Sequence, residues 1–114
     1  ALFPVEKDRR DAHLKDWRAS NPVPSVDASD VADHIDHVRK LAGIDHIGIG
    51  GDYDGIRFLP DDLQDVSAYP VLFAELVRRG YSKEDLAKIS RGNILRVMRA
   101  AETIAKNSEA IPSR

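Results

Sequence analysis

The run Asp45-His46-Ile47-Gly48-Ile49-Gly50-Gly51-Asp52-Tyr53-Asp54-Gly55 constrains this chain more than any other stretch. Its isoleucines alternate with glycines, and side chains along a strand alternate between faces with period two. Ile47 and Ile49 therefore share one face, while His46, Gly48, Gly50 and Asp52 share the other. Branched residues on one side and hydrogen atoms on the other suit a tight barrel, with isoleucines packed outward under helices and glycines leaving room inside. Asp52 then stands on the inner face at the strand's carboxyl end, where barrel enzymes keep their chemistry.

The rest of the chain reads as helices around this strand. Glu6 to Ala19 is highly charged, with Leu14 and Trp17 as its apolar anchors, and predicts a surface helix from Val5 to Arg18. Asn21-Pro22-Val23-Pro24-Ser25 breaks it, because a proline disfavours helix in the residue before it. Asp27 is an N-cap for a helix over 28–42 whose stripe is Val31, Ile35, Val38 and Ala42. Gly43 is its left-handed stop, and the strand over 46–51 follows at once. Ile56 to Asp65, with Pro60, Asp61 and Asp62, reads as a loop at the strand's carboxyl end, placed to cover a site. A helix over 67–79 centres on Val71, Leu72, Leu76 and Val77, with Pro70 in its first turn and Gly80 after it. Ser82 caps a helix over 83–90 with apolar positions Leu86 and Ile89. Gly92 interrupts, and Asn93 opens a last helix over 93–106 with the stripe Ile94, Leu95, Val97, Met98, Ala101 and Ile104. A polar tail, 107–114, follows.

The chain has 114 residues, the length of one small domain, and a net charge of −2, which offers nothing to nucleic acid or an anionic membrane. It has no cysteine, so disulfides and thiolate metal sites are excluded. No apolar run approaches membrane-spanning length and the start lacks a signal-peptide pattern, so the expectation is a soluble protein of cytoplasm or periplasm. A lone strand is not a sheet, and its backbone groups need neighbours on both sides. The expected strand must pair with strands from outside this segment. The chain reads as the last part of something larger, or as a subunit that docks on one.

Four runs carry a family resemblance: Val31-Ala32-Asp33-His34-Ile35-Asp36-His37, Gly48-Ile49-Gly50-Gly51-Asp52-Tyr53-Asp54-Gly55, Asp65-Val66-Ser67-Ala68-Tyr69-Pro70 and Gly92-Asn93-Ile94-Leu95-Arg96-Val97. In order and spacing the segment from Asp30 to Ala101 resembles the C-terminal region of the membrane (renal) dipeptidases, the M19 zinc peptidases. The resemblance implies the C-terminal part of a (β/α)8 TIM barrel of the amidohydrolase type, an α/β fold. Residues 1–26 would be a helical insertion and linker of the kind bacterial members carry. Residues 27–55 would be helix, last barrel strand and catalytic loop, and 56–114 the loop and C-terminal helices. It implies hydrolysis of dipeptides at a binuclear site of two Zn2+ ions. Asp52 matches the last-strand aspartate, beside the bridging water and the substrate's amino group, and is the one catalytic residue assigned here. The family's metal ligands and its carboxylate-binding arginine all lie upstream, so no metal ligand is assigned in this segment, which alone would be inactive. Its partners would be the dipeptide and the N-terminal remainder of the barrel, in the same or a separate chain; a homodimer of the full enzyme is compatible. Another amidohydrolase-type hydrolase, acting on D-configured or N-acylated amino acids, and a non-catalytic helical interaction fragment are the alternatives.

Read without the family, Asp52 in Asp-x-Asp-Gly most commonly caps a turn. Asp54 shares its parity and is a candidate substrate contact, against the plainer role of a hydrogen bond within the turn closed by Gly55. An EF-hand beginning at Asp52 fails, because it needs glycine sixth and an acid twelfth, whereas Gly55 is fourth and Leu63 twelfth. His34 and His37 are three apart, whereas the zincin motif sets its histidines four apart, so helix packing and surface hydrogen bonds account for them better. His46 belongs to the N-terminal, stabilising end of the strand, and His13 to solvent. Asn93 reads as a helix cap. Trp17 and Leu14 read as packed on their own domain. With no ligand cluster at workable spacing, the chain by itself is expected to take up no stoichiometric zinc on metal analysis. Tight zinc that disappears when His34 and His37 are replaced would overturn that expectation.

Overall fold

Capping boxes set the starts of two helices in the computed structural model, which describes residues 4–109. Five α-helices run in order: α1 Pro4–Ser20, α2 Ala28–Ala42, α3 Tyr69–Arg78, α4 Lys83–Ala87 and α5 Asn93–Glu109. The α2 start is a capping box. The Asp27 carboxylate accepts from Ser29 N at 2.8 Å and Asp30 N at 3.3 Å, and Asp30 accepts from Asp27 N at 2.9 Å. Ser82 and Asp85 repeat the device on α4. Gly43 ends α2 with φ +90°, but its ψ of 161° sends the chain out extended, not into the left-handed helical stop expected. The helix expected over 67–79 begins as a 3-10 turn, Val66–Ala68, capped by Asp65.

Two sequence expectations need correction. Gly92 does not interrupt. Residues Lys88–Gly92 form a π turn that joins α4 to α5 without a break, and Asn93 N–H bonds to the Lys88 carbonyl five residues back. Glycine suits this place because a β-carbon would lie 3.2 Å from the Ala87 carbonyl oxygen. The strand over 46–51 is also absent, and no β-strand occurs among the described residues. His46 closes a 3-10 turn, Ile44–His46, and Ile47 is extended (φ −111°, ψ 134°). The stretch from Ile47 to Gly51 runs on without a ladder. A strand exists only by backbone pairing, and the described residues bring no second strand alongside.

The core is small and lies between α2, α3 and the π turn. Ala28, Ala32 and Ile35 of α2 meet Leu72 and Leu76 of α3, with Ile47, Leu63, Tyr81 and Ile89 closing the cluster. Leu72, Leu76 and Ile89 are fully buried, and truncating such a leucine to alanine typically costs about 2–5 kcal/mol. Ala32, 0% exposed, lets the two helices approach closely. Val38 and Ala42, assigned to the α2 stripe, are exposed instead. The α5 stripe is exposed as well, Ile94, Leu95, Val97, Met98 and Ile104 all included. On α1, Trp17 (61% exposed) and Leu14 do not pack on the rest of the chain, against expectation. A compact chain of this length has a radius of gyration of about 13 Å. The value here is 21.0 Å, so these elements do not close around one interior.

Polar contacts fasten what the small core does not. The loop after Gly55 is tied back to the start of α2. Asp61 N donates to the Val26 carbonyl at 2.8 Å, Ala28 N donates to Asp62 at 2.8 Å, and Ser25 Oγ donates to Asp61. Arg79, just past α3, uses all three guanidinium nitrogens. Nε donates to Glu75 at 2.7 Å, Nη1 to Asp33 at 2.5 Å and Asp36 at 2.7 Å, and Nη2 to the Ser29 carbonyl at 3.0 Å and hydroxyl at 2.8 Å. Tyr81 donates to the other Asp36 oxygen at 2.7 Å, and Arg39 lies 4.3 Å over the Tyr81 ring. Such charge-assisted bonds are the stronger kind.

This cluster sets an acid response. Hydrogen bonds from Arg78 and Arg79 hold the Glu75 carboxyl down to about 2, from an ordinary value of 4.5. Tyr81 and Arg79 lower Asp36 in the same direction. A carboxylate depressed in the folded state adds stability that is complete above the ordinary value and is lost as pH falls toward the folded one. The melting temperature of the protein should therefore fall steeply between pH 4.5 and about 2. Glu75→Gln should flatten that part of the profile, and an unchanged slope in this variant would show that Glu75 does not carry it.

Candidate active site

The alternation read from sequence survives without the sheet. Ile47 is buried and Ile49 half-buried, both on the core side, while Gly48 and Gly50 are exposed. At both glycines a β-carbon would meet nothing within 4 Å among the described residues. An extended segment without a ladder needs other partners for its backbone. Asn93 supplies them at the upstream end. Its side-chain amide donates to the Ile44 carbonyl at 2.8 Å and to the Ile47 carbonyl at 2.8 Å. Arg96 adds a bond to the Asp45 carbonyl at 2.6 Å, and Lys88 pairs with the Asp45 carboxylate at 2.8 Å. Asn93 is thus no helix cap, as the sequence suggested, but a buried clamp at the helix–segment junction. A signal was present: it follows buried Ile89 by four residues, so the amide shares a helix face with core.

At the downstream end the chain turns sharply. Asp52 has φ +46°, the one non-glycine residue with positive φ among those described. Its carbonyl accepts from Gly55 N at 2.9 Å and Ile56 N at 3.2 Å, closing the turn. The Asp52 side chain is exposed and makes no hydrogen bond or ion pair among the described residues. It packs so closely on Gly55 that a β-carbon there would lie 2.5 Å from Oδ1. Asp54 is exposed too, and its side chain makes no bond within the turn, contrary to its plainer reading; the Asp52 main chain does that work. Beneath the turn lie the rings of Tyr53 and Tyr69, 5.9 Å apart and tilted by 51°. Loss of solvent and the neighbouring Tyr69 push the Tyr53 phenol up. They border an apolar cavity of about 140 Å³ reaching Val31, Leu63 and Leu72. The turn presents two carboxylates, Asp52 and Asp54, without side-chain partners among the described residues, next in sequence to the cavity-lining Gly51 and Tyr53.

The histidines do not join it. His13, His34, His37 and His46 are all exposed. Among the described residues no group of three or more His, Cys, Asp or Glu side chains could hold a metal ion. These residues therefore do not fit a zinc centre by themselves. No described helix is long and apolar enough to cross a membrane.

Against known families, the model for membrane dipeptidase (peptidase family M19) matches residues 17–112. The chain belongs to the membrane dipeptidase family. Among curated relatives, Dipeptidase 3 of Homo sapiens is 50% identical over 85 residues, which are 75% of this chain and 17% of that protein. Dipeptidase 3 of Mus musculus is 49% identical over 83 residues. Dipeptidase aclJ of Aspergillus oryzae is 47% identical over 79 residues, 69% of this chain and 19% of the relative. The chain thus spans about a fifth of the length of the curated relatives it matches. The match includes the turn of Asp52, the Tyr69 helix start and Asn93.

Replacing Asn93 tests the clamp. Asn93→Ala leaves two carbonyls without their donor and should destabilise the protein by about 2 kcal/mol. Denaturant unfolding checks this, with Arg96→Ala, which removes one exposed bond, as the milder comparison. Equal small losses in both would leave Asn93 without the anchoring role.

Proposed function

We propose that the protein carrying this chain is a zinc-dependent dipeptidase of the amidohydrolase-type (β/α)8 barrel, and that this chain supplies its last-strand aspartate. Family membership and relatives named as dipeptidases support the activity class. The observation that carries the role of this segment is the Asp52 carboxylate. It is exposed and without a side-chain partner among the described residues, on a turn whose backbone is bonded at both Gly55 and Ile56. A structural carboxylate would be spent on a cap, as Asp27, Asp62 and Asp65 are. In this reading residues 27–55 are the last helix and strand of the barrel, and residues 47–51 pair with strands from the remainder of the protein. The exposed α5 stripe is consistent with this, since apolar residues at helical spacing normally face a core.

Zinc ligands would come from outside these residues, because the described ones form no metal cluster. The contribution of this chain is proton transfer. Peptide hydrolysis requires that attacking water lose a proton and that the departing amine gain one. Asp52, free of internal bonds, accepts the first proton and returns it to the amine nitrogen as the C–N bond breaks. Two features suit it to this. A carboxylate held in a turn keeps its position through the cycle, and its exposed side chain is left open to the reacting groups. Asp54, two residues on, is a secondary candidate for contact with the dipeptide.

The decisive comparison is Asp52→Asn against Asp54→Asn in the complete protein. Asparagine keeps the size but takes no proton, so kcat for dipeptide hydrolysis should fall by about 10²–10⁴-fold in Asp52→Asn. Bound zinc should stay level in both variants, and Asp54→Asn should lose far less activity. Equal small losses would reduce the pair to a turn motif.

A further inference from the structure

We propose that Tyr69 is a positioning residue for Asp52, holding the carboxylate's turn in its left-handed conformation by packing with Tyr53 against Gly51. The inference rests on the reading of Asp52 as the proton-transfer group.

Positive φ is unusual in an aspartate and persists only where the surroundings over-determine it. The bonds from Gly55 N and Ile56 N hold the Asp52 carbonyl, and so fix the chain after Asp52. They do not fix the peptide before it, which φ describes. That peptide begins at Gly51, and Gly51 is enclosed. A β-carbon on Gly51 would lie 2.4 Å and 2.8 Å from two Tyr53 ring carbons and 2.8 Å from the Tyr69 hydroxyl. The Tyr53 ring therefore doubles back over the residue two places behind it, with Asp52 as the pivot. Tyr69 completes the stack, 5.9 Å from the Tyr53 ring centre.

Tyr69 is the fixed member of this set. It is the first residue of α3, preceded by the 3-10 turn that Asp65 caps. Three and seven residues on, Leu72 and Leu76 are fully buried, and Arg79 fastens the far end of the helix. Helix α3 is thus seated in the core, and its first residue reaches back to the turn. Glycine at 51 restricts its own backbone least, and the two tyrosines are the nearest groups enclosing the Gly51–Asp52 peptide among the described residues. A tyrosine seventeen positions downstream decides the aim of the carboxylate.

The experiment uses the complete protein and four variants: Tyr69→Phe, Tyr69→Ala, Asp52→Asn and the double variant Tyr69→Ala/Asp52→Asn. Steady-state kinetics with a dipeptide give kcat and KM, and crystal structures give φ at residue 52. Small misplacements of a reacting group cost up to about 10²-fold. Tyr69→Ala should lower kcat by about 10–100-fold with little change in KM. Tyr69→Phe, which keeps the ring beside Tyr53 but loses the hydroxyl beside Gly51, should lower kcat less than Tyr69→Ala does. In the Asp52→Asn background the alanine substitution should add no further loss, the mark of two residues acting as one. Residue 52 should relax to negative φ in the alanine variant. The same loss with and without Asp52, or a kcat unmoved by Tyr69→Ala, would overturn the proposal. If Asp52→Asn itself keeps full turnover, the catalytic reading of Asp52 fails. The packing claim is then decided by φ alone, with positive φ in Tyr69→Ala sinking it and negative φ upholding it. Tyr69→Leu replaces the alanine variant if that one does not fold.

Discussion

The structure depends on how an extended segment without a sheet satisfies its backbone. Peptide groups in a strand normally bond to neighbours on both sides, and buried ones left alone are costly. Here one side chain takes over part of that work. The Asn93 amide bonds two carbonyls three residues apart, Ile44 and Ile47, across the start of the segment. The π turn before Asn93 keeps α4 and α5 one continuous rod, so the clamp is carried on a rigid element. Release of that clamp would leave Ile47, the residue that ties the segment to the core, held by apolar contact alone.

Two polar devices divide the remaining task. Arg79 draws α2 to α3 through Ser29, Asp33, Asp36 and Glu75, where the buried apolar residues are two alanines, one isoleucine and two leucines, with Val31 and Phe73 packed against them. Asp61 and Asp62 draw the loop after the turn to the chain ahead of α2. With the Asn93 clamp upstream, the ties of Asp61 and Asp62 fix the chain on both sides of the Asp52 turn, and none of these bonds involves the Asp52 side chain. This division lets a carboxylate stand unbonded at a fixed place, the condition a proton carrier requires. On the flanking segments Asp27, Asp61, Asp62 and Asp65 are occupied with backbone or hydroxyl donors, whereas Asp54 in the turn itself makes no side-chain bond among the described residues.

The exposed apolar residues have a common pattern. Gly48 and Gly50 on the segment, and Ile94, Val97 and Met98 on α5, are all exposed. The segment and α5 meet at Asn93, so their open sides adjoin. Scattered exposed hydrophobes are ordinary on a surface, but a stripe at helical spacing is not. The radius of gyration, well above that of a compact chain, describes the same condition. A barrel whose other strands lie alongside residues 47–51 would account for both.

What the sequence determined by itself was whatever neighbouring residues decide. The caps Asp27 and Ser82 set helix starts because their side chains reach donors two or three residues away. Alternation in Ile47-Gly48-Ile49-Gly50 sorted core from open side because parity is local to the backbone. The four family runs marked the dipeptidase family, because order and spacing along the chain can be read without a fold. Tertiary structure alone decided the rest. Gly92 read as a break because glycine often is one, yet packing at Ile89 and Asn93 carries the helix through it as a π turn. Val38, Trp17 and the α5 stripe read as buried because hydrophobicity says that a residue seeks cover, not which surface supplies it. The strand was unrealised for the same reason, since pairing needs a second backbone. Arg79 and Tyr69 were silent in the sequence because their partners lie far along the chain, Asp33 and Ser29 for one and Gly51 for the other. Such long-range contacts exist only once the chain has folded.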